Sequence, residues 1–277
     1  MADTMKVWFI TGAGRGFGRL WAEAALRRGD KVAASARDPK ALEPLAANAG
    51  DRLLPLALDV TDRPAVFDAV SRAAAHFGRL DVVLSNAGYG VLGAVEETSF
   101  EDARAIFETN VLGTLSLIQA ALPILRAQRS GHILSVTSAG GLLAFPLMAV
   151  YEATKFAIEG LGEALAQEVA EFGIKVTLIE PGPYKTDFMS GTSLKQSNAL
   201  PVYQAMRERF ATMLPAEIFG DPAATADAIL KVVDAESPPL RLLLGRMLPL
   251  VKQAYSERLT TWEAWDAVAQ AAHGAAP

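Results

Sequence analysis

The sequence predicts a single α/β domain of the doubly wound Rossmann type, a parallel sheet of about seven strands with helices on both faces. Three observations lead there. Short β-branched or apolar runs alternate with longer stretches of helical periodicity, a glycine-rich loop separates the first strand from the first helix, and no repeat or composition shift divides residues 1–277. Alternating strand and helix implies right-handed crossovers, hence parallel pairing with helices on either side.

The strand runs are 6–10, 31–35, 53–58, 82–85, 132–137, 175–179 and 240–244. Apolar residues spaced near i, i+3 and i+4 mark helices over 20–28, 63–77, 100–126 and 149–172. Two regions break the rhythm. Residues 186–215 are polar and then weakly helical, and long excursions of this kind in a compact domain tend to be functional, so they are read as a substrate lid. Residues 254–277 read as a helical tail ending in an Ala/Gly/Pro stub.

Bulk properties narrow the function. A 51% hydrophobic chain of this length can bury a substantial core. A net charge of −5 argues against nucleic acid or an anionic membrane as the main partner, since both demand clustered Lys and Arg. There are no cysteines, which excludes disulfides and thiolate metal sites and suits a reducing cytoplasm. The N-terminal run lacks the hydrophobic region and cleavage site of a signal peptide, and the longest apolar stretch, 139–150, is too short to span a bilayer and contains Pro146. A soluble, cytoplasmic protein is expected. His76, His132 and His273 lie far apart, so no metal is expected and all three read as surface or helix-end residues.

After the first strand comes Thr11-Gly12-Ala13-Gly14-Arg15-Gly16-Phe17-Gly18, followed at once by a helix. Glycines permit close backbone approach, and a helix N-terminus presents unpaired N–H groups and a positive dipole end, so a dinucleotide pyrophosphate fits here. The common G-x-G-x-x-G spacing fails, because its third glycine would fall on Phe17; the spacing that fits is Gly12-x-x-x-Gly16-x-Gly18. Further along, Tyr151 and Lys155 are four apart and share a helix face. A phenol is a poor base at neutral pH, and the ammonium supplies a charge that favours the phenolate. Ser138 follows the fifth strand run directly, at the sheet edge where doubly wound folds place their ligands.

These motifs together resemble the short-chain dehydrogenase/reductase family over roughly residues 5–190. The resemblance implies a catalytic set of Asn110, Ser138, Tyr151 and Lys155. It also implies cofactor contacts from Gly12, Arg15, Gly16, Phe17, Gly18 and Arg37, from the Asp59-Val60 pair, and from Asn86-Ala87-Gly88, where Ser85 replaces a usual Asn. Pro181, Gly182, Tyr184 and Thr186 match the loop that holds the nicotinamide amide, although Tyr184 departs from the usual Val or Ile. Family members that bind NAD carry an acid at the end of the second strand; here Ala36 stands there, with Arg37 next and Arg15 in the glycine loop. Two guanidiniums can clamp a 2′-phosphate, so NADP(H) is expected, with Asp38 capping the turn at Pro39.

The implied chemistry is hydride transfer between an alcohol and a carbonyl, with Tyr151 as acid/base, Ser138 holding the carbonyl oxygen, Lys155 lowering the phenol pKa and binding ribose, and Asn110 holding a relay water. Tyr89, Gly90, Gly140, Leu142, Leu143, Phe145, Phe188 and Met189 read as the pocket, mostly apolar and without an Arg or Lys to clamp a carboxylate; a bulky hydrophobic ketone, aldehyde or alcohol is expected. A 3-oxoacyl-carrier-protein reductase would share every motif, a non-catalytic NADP-sensing protein would normally lack part of the catalytic set, and an extended epimerase would need a larger C-terminal domain. The helical segments 100–126 and 149–172 resemble the family's dimer-forming pair, so a homodimer or homotetramer is expected.

Overall fold

Successive residues of the first strand, β1 (Val7–Ile10), feed two different cores: Trp8 and Ile10 pack on one side of the sheet, Val7 and Phe9 on the other. Side chains alternate across a pleated strand, so a strand apolar throughout must be covered on both faces. The computed structural model describes residues 5–47, 49–186, 188 and 193–274. In chain order the elements after β1 are α1 (Gly16–Arg28), β2 (Lys31–Ala36), α2 (Glu43–Ala46), β3 (Leu53–Ala57), α3 (Arg63–Phe77), β4 (Val82–Ser85), β5 (Gly90–Leu92), α4 (Phe100–Phe107) and α5 (Gly113–Gln128). They continue with β6 (Gly131–Val136), α6 (Ala149–Val169), β7 (Ile174–Pro181), β8 (Leu194–Gln196), α7 (Gln204–Ala211), α8 (Thr225–Asp234), β9 (Arg241–Leu244) and α9 (Leu248–His273).

Seven strands form one parallel sheet in the order β3-β2-β1-β4-β6-β7-β9, the doubly wound arrangement expected. Trp8 sits opposite Val32 on one side and Val82 on the other, so β1 is central. Helices α1 and α8 cover one face around Trp21 and Ile229; α3, α5 and α6 cover the other around Val70, Leu117 and Leu165. The polar edges of the buried indoles are satisfied: Trp8 Nε1 donates to Asp30 at 2.7 Å and Trp21 Nε1 to the Thr225 hydroxyl at 2.8 Å. Local signals set the helix ends. Asp62 caps α3 by accepting the Ala65 N–H at 3.0 Å, and Gly78 closes it in the left-handed conformation.

The structure departs from the sequence reading in four places. The helix expected over 100–126 is interrupted by a π-helical turn at Glu108–Leu112, and in the run Phe100–Gln128, long and apolar enough by composition to cross a membrane, half of the most apolar stretch is buried within the protein. A second, two-stranded parallel sheet joins β5 to β8. His132 is neither on the surface nor at a helix end: it lies in β6, 3% exposed, with Nε2 at 2.9 Å from the Thr177 hydroxyl, and burial pushes its pKa down to about 3. The tail helix α9 begins at Leu248, ahead of the expected 254, and none of its residues is buried.

Candidate active site

The strand order reverses between β1 and β4, which opens a crevice at the C-terminal ends of the strands. A cleft of about 1390 Å³ occupies it. Of the expected cofactor residues all but Gly18 line this cleft, and so do Ser138, Tyr151 and Lys155; Asn110 stands behind its wall.

The glycine loop is shaped by what it touches. Gly12 has φ +67°, and a Cβ there would lie 2.9 Å from the Ala87 Cα. A Cβ on Gly18 would fall 2.4 Å from Asn86 Nδ2 and 2.5 Å from the Gly12 carbonyl, so this glycine makes room for a neighbouring side chain and does not face the cleft. Asn86 stitches the loop to β4: its Nδ2 donates to the carbonyls of Thr11 and Gly12 at 3.0 and 3.1 Å, while the Thr11 hydroxyl accepts the N–H groups of Asn86 and Ala87 at 3.0 and 3.1 Å. Its amide nitrogen is therefore spent on holding the loop. Nothing lies within 4 Å of where a Cβ on Gly16 would stand, at the first turn of α1, which leaves open space before unpaired N–H groups.

Arg15, Ala36 and Arg37 line the same cleft, and Asp38 caps the following turn by accepting the Lys40 N–H at 3.0 Å. Asp59 uses one carboxylate oxygen to accept the backbone N–H and hydroxyl of Thr61 at 2.9 and 2.8 Å. Tyr184 turns its ring onto Phe17, edge to face with centroids 5.3 Å apart, and a Cβ on Gly220 would fall 2.5 Å from that ring. The unusual tyrosine thus braces the glycine-loop helix. An open helix N-terminus, close-approach glycines and cations without an acid at Ala36 fit a dinucleotide; the N–H groups at Gly16 would hold its pyrophosphate, and Arg15, Arg37 and Asp59 would hold its adenosine end.

Tyr151 and Lys155 share one face of α6, with the Lys155 Nζ 5.5 Å from the Tyr151 ring centroid. Nζ donates to the Val136 carbonyl, at the end of β6, at 2.9 Å. Burial pushes the Tyr151 phenol up to about 12, opposed by its hydrogen bond with Ser138, and pushes the Lys155 ammonium down to about 8, opposed by the charge of Glu159. Desolvation is the largest cause of both shifts, since both groups are less than a tenth exposed.

The Asn110 side chain is fully engaged. Its Oδ1 accepts the Tyr89 N–H at 3.1 Å, and Nδ2 donates to the Tyr89 carbonyl at 2.9 Å and the Thr154 hydroxyl at 3.0 Å. The π-helical turn delivers it there, beneath Gly88, whose Cβ would sit 3.0 Å from Oδ1. Asn110 joins the loop after β4 to α6, and its backbone carbonyl accepts the Thr114 hydroxyl at 2.7 Å.

The wider chamber beyond Ser138 and Tyr151 is apolar, walled by Leu92, Leu147, Met148, Leu194, Phe210 and Leu214, together with the expected Tyr89, Gly140, Phe145 and Phe188. Gly90, Leu142 and Leu143 are not part of this wall: Gly90 opens β5 and packs on Phe188, and the two leucines are buried after the turn at Ser138. Met189 lies outside the described residues. Two cations do reach the chamber, against the sequence reading: Arg207 and Lys195, each in an ion pair, with Glu97 and Asp102. Periodicity carries no trace of them, since their placement depends on the β5–β8 pairing. Glu152, between the two motif residues, also lines the cleft and could have been noticed from its position alone.

Comparison with known proteins agrees with this architecture. The model of the short chain dehydrogenase family matches residues 6–197. The chain is 45% identical over 244 residues to the oxidoreductase BOA17 of Botryotinia fuckeliana, covering 87% of this chain and 89% of that one. It is 33% identical over 255 residues to a 3-ketodihydrosphingosine reductase of Bacteroides thetaiotaomicron, covering 91% of each. A short-chain dehydrogenase from Streptomyces avermitilis superposes with a TM-score of 0.89 at 38% identity, covering 97% of this chain and 99% of that one. Among more distant structures, one from Burkholderia phymatum is a complex with NAD (TM-score 0.81, 25% identity, 93% and 95% covered). Another, ElxO, has NADP bound (TM-score 0.72, 26% identity, 87% and 97% covered).

Proposed function

Because the chain belongs to the short-chain dehydrogenase/reductase family and is an oxidoreductase of that family, we propose that it interconverts a hydrophobic ketone or aldehyde and the corresponding alcohol, using NADP(H), with Tyr151 as acid/base. The observation that carries this reading is the meeting of Ser138, Tyr151 and Lys155 at the end of β6, between the dinucleotide-shaped half of the cleft and an apolar chamber. The nicotinamide supplies hydride when bound.

The chain's own residues do the rest. Ser138, hydrogen-bonded to the Tyr151 phenol, orients the carbonyl oxygen as negative charge develops on it. The phenol, protonated throughout the neutral range, gives its proton to that oxygen. Lys155, charged below about pH 8, binds ribose hydroxyls and favours the phenolate left behind. Resupply runs from Lys155 to solvent through a water held by Asn110. The preference for NADP(H) is supported by Ala36 in place of an acid, with Arg15 and Arg37 beside it. A carbonyl substrate is supported by the relative named as a 3-ketodihydrosphingosine reductase.

The test is to titrate purified protein with NADPH and NADH separately, then to follow loss of cofactor absorbance against a panel of hydrophobic carbonyls. Tighter binding of NADPH with turnover of apolar carbonyls is expected. A preference for NADH would overturn the cofactor assignment, and turnover confined to charged substrates would overturn the substrate class.

A further inference from the structure

The first half of α9 rests on the body and the second half leaves it. Val251, Ala254 and Arg258 are partly covered, a spacing of three and four that marks one stripe of the helix. Arg258 anchors that stripe, its guanidinium 5.8 Å from the ring centroid of Phe156 in α6 and 5.1 Å from that of Tyr255. Beyond Arg258 every residue of the helix is exposed.

The stripe does not end where the body ends. Trp262, Trp265 and Val268 continue it at the same spacing, and they are 66%, 65% and 58% exposed; Tyr255 and Leu259 flank it, also exposed. A helical stretch of about 15 residues is marginal in water unless its apolar face is covered, and a monomer rarely leaves so contiguous a patch open. A standard dimer takes about 800 Å² from each partner. Covered aromatic side chains supply about 150–250 Å² each, so two indoles and a phenol, with Leu259 and Val268, form a face of that order.

The charges say what covers it. Residues 246–258 carry Arg246, Lys252 and Arg258 against one acid, Glu257, whereas residues 259–274 carry Glu263 and Asp266 and neither Lys nor Arg. The two patterns share a centre: Lys252 and Asp266 stand equally far from Leu259, and Val251 and Val268 almost equally far. A helix with cations in one half, acids in the other and an apolar stripe through both is complementary to itself when reversed, as a two-fold interface requires. A bilayer fits less well, since helices lying in its surface carry Lys and Arg on the polar face and the projecting half has none.

We propose that α9 is a self-association surface, packed antiparallel on the α9 of a second copy about a two-fold axis near Leu259. Trp262, Trp265 and Val268 of each copy cover Tyr255 and Leu259 of the other, while Glu263 and Asp266 meet Arg246 and Lys252. This surface is separate from the paired helical segments that the family resemblance implies for dimerisation. None of the residues of α9 lines the cleft, so the contact can be broken without touching the active site.

The cysteine-free chain allows single spin labels, and the experiment places one at Thr260→Cys or at Gln270→Cys and measures dipolar coupling between copies. A short distance at Thr260 is expected, with the Gln270 labels separated by about 30 Å more along the helix axis. Trp262→Glu should abolish the coupling and halve the mass read by light scattering, from dimer to monomer or, where α4–α6 also pair, from tetramer to dimer. NADPH affinity should not change, which certifies the variant's fold. Equal short distances at both labels would mean parallel pairing and overturn the proposal. So would a mass unaltered by Trp262→Glu, or absent coupling with wild-type chain floating on vesicles of phosphatidylcholine and phosphatidylglycerol, which would make a bilayer the occupant.

Discussion

The glycine loop and the segment over residues 193–214 both wall the cleft, but they are held in place by different physics. The loop is fixed by short backbone distances and neutral hydrogen bonds: Asn86 grips two of its carbonyls, Thr11 returns two bonds, and Gly18 survives only because it has no side chain. The opposite segment makes one short strand pairing with β5, packs Leu194 and Phe210 against a small apolar cluster, and is otherwise tied down by charge. Lys195 pairs with Asp102 and Arg207 with Glu97, the Tyr203 hydroxyl donates to Glu96 at 2.7 Å, and Glu97 also accepts the Leu200 N–H at 2.7 Å. Its helix α7 buries no residue. A wall made of close contacts tolerates no substitution and holds one geometry; a wall made of ion pairs can be retuned by pH, salt or mutation. That division suits an enzyme whose cofactor is constant and whose substrate chamber is the variable part.

The largest effect is expected at the seam between the two walls. Tyr151→Phe removes the proton donor and leaves the ring, so kcat should fall about a thousandfold while NADPH affinity, read by fluorescence titration, stays within about threefold. A fall in kcat of only a few-fold would mean that another group does the acid's work.

Next comes Gly18→Ala, which tests the rigid wall. The added methyl must displace the Asn86 amide or the Gly12 carbonyl, a cost of about 1–3 kcal/mol in urea denaturation, with weaker NADPH binding. Unchanged stability would show the loop to be as yielding as the wall it faces.

Arg207→Gln tests the charged wall. It leaves Glu97 without its cation, so KM for the carbonyl should rise several-fold while the cofactor Kd does not move. The Arg207 hydrogen bond holds the Glu97 carboxyl down to about 2, below its ordinary value. A depressed carboxylate stabilises the fold fully above that ordinary value and loses the effect as pH falls toward about 2. Wild type should therefore lose more thermal stability than the variant between pH 5 and pH 3, and parallel acid curves would break the comparison.

The smallest effect is a few-fold weakening of NADPH binding as pH rises through about 8, where Lys155 loses its charge in the free protein. The same titration on Lys155→Met should be flat over that range. A flat wild-type curve would move the ribose contact elsewhere.

Legibility followed the range of the forces involved. The seven sheet strands could be read because central parallel strands are buried on both faces and leave unbroken apolar runs. The strands β5 and β8 could not, since each is three residues long and finds its partner about a hundred positions away. The π-helical turn at Glu108–Leu112 was hidden because it leaves the apolar pattern of the flanking helices almost undisturbed. Leu142 and Leu143 lie close to Ser138 in sequence yet outside the cleft, since sequence proximity says nothing about which way a turn sends its side chains.

What the sequence determined by itself is the doubly wound sheet, the glycine loop at its mouth, and the shared face of Tyr151 and Lys155, because periodicity, φ-permissive glycines and a four-residue helical spacing are local properties. Only the tertiary structure decided that the Asn110 side chain is used as a brace, that His132 is buried, that Arg207 reaches the chamber, and that one Glu152 oxygen ties the Phe145 loop to α6. Desolvation and hydrogen-bond partnership depend on segments distant in the chain, and no reading of neighbours in sequence contains them.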